Sequence, residues 1–92
     1  MLVKLLEIQR GMRGGMAAAQ EVYLNPSHII SVTSDSAANE SLLRESEHLG
    51  LPSGTSFSRI TLQEGNSPRI IVVVGSPSEV YQKIKTKQVL KG

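Results

Sequence analysis

Arg59–Lys85, RITLQEGNSPRIIVVVGSPSEVYQKIK, is the stretch that decides the fold. Over Arg59–Gln63 the residues alternate, Ile60 and Leu62 to one side and Arg59, Thr61 and Gln63 to the other, which is the pattern of a half-buried strand. Glu64-Gly65-Asn66-Ser67-Pro68 has the composition of a turn. Ile70–Val74 is an unbroken β-branched run, suited to a strand in the middle of a sheet. Two strands joined by so short a turn pair as a hairpin. Ser76 then reads as a helix N-cap, Pro77 as the first helical residue, where its missing N–H costs nothing, and Glu79 as the reciprocal partner of a capping box. Val80 and Ile84, with Tyr81 beside them, form an i, i+4 stripe that lets this helix lie back on the sheet.

Working outward, Glu21–Val32 (EVYLNPSHIISV) reads as a short strand over Glu21–Leu24, a break at Asn25-Pro26, and a new strand from His28. Leu2–Gln9 places Leu2, Leu6 and Ile8 on one period-2 face and Val3 and Leu5 on the other, as in a strand covered on much of both sides, although its length also fits a short buried helix. Between them Arg10–Gln20 is a glycine-rich connection, read as mobile. Thr33–Ser58 changes character. Asp35, Ser36 and Asn39 are helix-starting residues, Ala38, Leu42, Glu45 and Leu49 fall on helical spacing, and Gly50-Leu51-Pro52 is a stop signal. The sequence therefore predicts a single α+β domain over residues 1–92. It consists of a small twisted, mainly antiparallel sheet of about four or five strands (near 2–9, 21–24, 28–33, 58–63 and 69–74), a C-terminal helix over 77–87, and a flexible or helical insertion over 34–58 with a peripheral helix near 37–49.

Composition narrows the function classes. With one Phe, two Tyr and no Trp in 92 residues the core is aliphatic and small. Small cores often gain stability by association, so a homo-oligomer is expected. The absence of cysteine excludes a disulfide framework, a thiolate metal site and a thiol nucleophile. No apolar run approaches the ~20 residues needed to span a bilayer, and Lys4, Glu7 and Arg10 interrupt the apolar start in a way unlike a signal peptide. A cytoplasmic location is the expectation.

Catalytic and ligand signatures are scarce. Gly11–Gly15 (GMRGG) satisfies neither GxxxxGK[ST] nor GxGxxG. His28 and His48 lack metal-ligand spacing, there is no GxSxG elbow, and Glu40, Glu45 and Glu47 read as one solvated helix face. The chain is read as non-enzymatic, with no catalytic, cofactor-binding or metal residues and no cofactor. Net charge is +2, with lysines concentrated near the C-terminus. The alternative reading is a nucleic-acid binder using Arg10 and Arg13 of the glycine loop and Lys83, Lys85 and Lys87 of the basic helix. No aromatic interleaves these cations, so stacking on bases is unsupported.

Val22-Tyr23-Leu24-Asn25-Pro26 followed by His28-Ile29, then Ile60-Thr61-Leu62, Gly65, the valine strand, Ser76 and Glu79-Val80 with Lys83-Ile84, resembles the small FlbD/swarming-motility family of flagellum-associated bacterial proteins. The likeness covers about half the chain, and the Gly/Ala loop and the 34–58 insertion depart from it. It implies a small regulatory or protein-interaction role, with the chain itself and an unidentified protein as partners. Domains of this type also occur in phage and mobile elements. A second likeness, of Met1-Leu2-Val3 and of Glu79 with Tyr81-Gln82-Lys83-Ile84 to carbon-storage-type RNA-binding regulators, lacks that family's basic contact segment.

Overall fold

The computed structural model describes residues 2–9, 18–41, 49–52 and 54–91, with the side chains of residues 40, 41 and 86–91 outside the description. Five strands form one antiparallel sheet: β1 (Val3–Gln9), β2 (Ala18–Leu24), β3 (Ile29–Ser34), β4 (Phe57–Glu64) and β5 (Ser67–Val74), in the spatial order β2-β1-β5-β4-β3. The long valine strand is central, as its composition predicts. A short helix α1 (Ser36–Ser41) follows β3, and α2 (Pro77–Lys91) ends the chain.

The hairpin read from sequence is present. β4 and β5 pair in register from Phe57↔Val74 to Glu64↔Ser67, and Gly65 takes φ +60° in the turn, where a side chain would be strained. The helix start also forms as its sequence dictates. Glu79 N donates to Ser76 Oγ at 3.2 Å while Ser76 N donates to Glu79 Oε1 at 3.0 Å, so two otherwise unpartnered donors are satisfied reciprocally. Ser58, fully buried, ties the preceding turn to the sheet, its hydroxyl donating to Gly75 O at 2.7 Å.

Both faces of the sheet are covered. On one, Val80 and Ile84 of α2 pack on Val3, Leu5, Leu24, Ile60, Leu62, Ile71 and Val73. On the other, Ala38 of α1 and Phe57 close over Ile8, with Leu49, Leu51, Val72 and Val74 packed around them. This second cluster alters the reading of 34–58 as a peripheral insertion. The apolar residues that β1 and β5 present to that face need a cover, and Ala38, Leu49 and Leu51, with Phe57, supply it. Asp35 starts α1 by accepting from Ala38 N (3.0 Å), and its N–H donates to Phe57 O (3.1 Å). Asn39 Oδ1 accepts from Phe57 N at 2.7 Å, so helix and strand are pinned to each other.

Several boundaries differ from the sequence expectation, with β4 and β5 each extending beyond the ranges read for them. β2 begins at Ala18 rather than Glu21, because Ala18, Ala19 and Gln20 continue the ladder opposite Gln9, Ile8 and Glu7, and pairing overrides weak intrinsic preference. Pro26–His28 forms a 3-10 turn capped by Asn25, whose Oδ1 accepts from Ser27 N at 3.0 Å, so β3 starts at Ile29 instead of His28. α2 runs to Lys91 rather than stopping at 87. The predicted 37–49 helix is present as α1 to Ser41, and 42–48 lies outside the described residues.

Candidate functional site

β3 is an edge of the sheet, and among the described residues only β4 pairs with it. Its register with β4 is regular from Ser31↔Thr61 to Ser34↔Ser58 but shifts between Ile29 and Ser31. The bulge frees Ile30 from the strict in–out alternation of the strand. Beside this edge lies an open groove of about 500 Å³, with Pro26, Ile29, Ile30 and Val32 on the strand side and Pro77, Tyr81 and Ile84 on the α2 side. Ile30 and Tyr81 are each 56% exposed, so two large apolar side chains stand at the groove with solvent over them. β3 carries no charged side chain. Proteins usually guard an open edge with lysine, proline or inward charge. Here the strand itself has none of these, and among the described residues no second strand pairs with its outer backbone N–H and C=O groups.

The opposite edge differs. β2 carries Glu21, which pairs with Lys4 of β1 at 3.3 Å, and Tyr23 stands exposed next to them. That edge is charged at its midpoint.

The cations proposed from sequence do not gather into one described surface. Lys83 and Lys85 are both exposed on α2, but two positions along a helix are turned by about 200°, so they sit on different sides. Lys83 lies one turn from Glu79, and Lys85 one turn from Tyr81. The Lys87 side chain, Arg10 and Arg13 lie outside the described residues. Other cations have acidic neighbours: Arg59 lies 3.7 Å from Asp35 and Arg69 3.3 Å from Glu64. The carboxyl of Glu79 is held below its ordinary pKa, first by the Ser76 N–H and then by the Ser76 hydroxyl, against a small opposing desolvation and with help from the Lys83 charge.

Among the described residues Glu7 is the one buried carboxyl group on the α2 side, sharing the face of Val3 and Leu5 by strand alternation. Its Oε1 has no hydrogen-bond partner among the described residues. No three His, Cys, Asp or Glu side chains converge among the described residues, and no described helix is long and apolar enough to cross a membrane.

Sequence reasoning did not single out Ile30 or Tyr81. In the sequence pattern Tyr81 falls beside the apolar stripe of α2, and Ile30 falls inside the strand that begins at His28. The adjacent Ile29-Ile30 pair gives no distinct signal in sequence, since Leu5-Leu6 and Ile70-Ile71 show the same pattern in strands of regular register. Comparison of the chain with family models, with curated proteins and with solved structures finds no match.

Proposed function

We propose that this chain is a small non-enzymatic protein-interaction module that receives an extended segment of a partner polypeptide along β3. The observation that carries the reading is the uncharged open edge of β3 running beside an apolar groove with Ile30 and Tyr81 at its rim. In strand addition the backbone hydrogen bonds supply affinity, and every second side chain of the partner enters a pocket that supplies selectivity. The groove lies where those side chains would fall. Uncharged, β-branched or aliphatic residues suit it, since its walls are Pro, Ile, Val and Tyr. The likeness to the FlbD/swarming-motility family points the same way, toward a regulatory contact.

A displayed library of extended peptides tests this. Enrichment of uncharged β-branched sequences, lost in an Ile30→Lys variant of unchanged stability, is the expected result. Enrichment indifferent to Ile30→Lys refutes the assignment to β3. Retention on a generic DNA duplex that falls steeply with salt, and is abolished by changing Lys83, Lys85 and Lys87 to Gln, favours nucleic acid instead.

A further inference from the structure

We infer that the segment β3 receives is β3 of a second copy, paired antiparallel about a two-fold axis at Val32. The inference rests on the strand-receiving reading above and names its occupant.

Charge selects the edge. Two copies of Ile29–Ser34 laid side by side oppose no like charges, because the strand has no charged residue. At the other edge, self-pairing centred on β2 would set Glu21 against Glu21 of the partner subunit, at the midpoint of Ala18–Leu24. Like charges directly opposite are destabilising.

Symmetry then fixes the shape. Antiparallel pairing that continues a sheet requires a two-fold axis perpendicular to it, so both α2 helices lie on the same face of a ten-stranded sheet. The two grooves become one trough above the paired β3 strands. Ile30 and Tyr81 of each copy, exposed in the single chain, face that shared space. One contact therefore covers the apolar rim of both copies as well as both open backbones.

The register follows from faces. Residues directly opposite each other must point to the same side, which restricts the axis to a residue position. Regular pairing with β4 spans Ser31–Ser34, so an axis at a residue falls on Val32 or Thr33, and only Val32 brings Ile30 into the contact, opposite Ser34 of the partner subunit. This setting places Ser31 opposite Thr33 of the partner subunit, a small polar pair suited to hydrogen bonding. A six-residue strand and one groove per copy form a small interface, so the assembly is concentration-dependent.

Sedimentation over a wide concentration range, combined with single-cysteine cross-linking, tests the inference; the chain has no cysteine of its own. In this register the two Thr33 Cα atoms are about 8 Å apart, from two residues along the strand and one strand spacing across. Thr33→Cys with a short bismaleimide should yield a covalent dimer, whereas Tyr23→Cys on β2 should stay monomeric. Ile30→Lys should shift the sedimentation profile to monomer and abolish the Thr33→Cys cross-link. A concentration-independent monomer, or a cross-link at Tyr23→Cys in place of Thr33→Cys, overturns the inference. In the monomer case the peptide library separates the two levels. Selection lost in Ile30→Lys removes only the second copy as occupant, whereas no selection removes the strand-receiving reading as well.

Discussion

Phe57→Ala is the sharpest probe of how this domain is held together, because Phe57 sits where the 35–57 stretch meets the sheet. Its side chain is 1% exposed and packs with Ile8 and Ala38, while its backbone N–H and C=O are held by Asn39 Oδ1 and Asp35 N. Truncating a buried phenylalanine removes its transfer free energy and leaves a cavity, together costing about 3–5 kcal/mol. A domain of 92 residues has a total stability on the order of 5–14 kcal/mol. The variant should therefore lose about a fifth or more of that total, and in an average case about two fifths. Urea unfolding followed by far-UV circular dichroism measures the loss. With a slope of about 1 kcal/mol/M, the midpoint should fall by roughly 3–5 M with the slope unchanged. Phe57→Leu, which keeps most of the apolar volume, should fall between the variant and the parent. A loss under about 1 kcal/mol, the range of surface substitutions and modest core trims, would show that the face beneath α1 is not core and would refute the reasoning.

Three further outcomes follow from the caps and pins. Ser76→Ala should cost about 1 kcal/mol in urea unfolding, since it removes the hydroxyl that accepts from Glu79 N. The Glu79 carboxyl titrates below its ordinary range because of Ser76. A carboxylate depressed in the folded state contributes stability that is fully present above its unfolded pKa, about 4.3, and is lost as pH falls through the lower folded value. The stability gap between parent and Glu79→Gln should hold constant near neutral pH and close below that point, and in Ser76→Ala an NMR titration should show Glu79 moved back up toward the ordinary range. Asn39→Ala should cost about 1–3 kcal/mol, because the Phe57 N–H loses its 2.7 Å acceptor; full-length hydrogen exchange should show faster exchange at Phe57.

Local chemistry was legible where it is self-contained. Gly65 in its turn, the β4–β5 alternation and the Ser76/Glu79 box are each written in a few adjacent residues, and each is found as read. The placement of β5 at the centre was legible from its unbroken β-branched run, although Ile70 at its start is exposed. What depends on distant partners was not legible. Ala18–Gln20 look like loop and become strand because β1 offers a ladder to extend. Phe57 ends a Ser/Gly/Thr stretch, and nothing nearby shows that it fills the second face with Ala38. The strand order that leaves β3 at an edge is set by long-range pairing, so the open groove and the exposure of Ile30 and Tyr81 emerge only in three dimensions.

The central claim is that the outer edge of β3 takes the β3 strand of a second copy, and amide hydrogen exchange as a function of protein concentration tests it most directly. An outward-facing N–H on an unpaired edge exchanges with solvent, and one paired to a second strand is protected. The account predicts that protection at outward amides within Ile30–Ser34 rises with concentration, while amides of β2 from Ala18 to Leu24 stay constant. Exchange at β3 that is independent of concentration, or protection that rises at β2 instead, would contradict it.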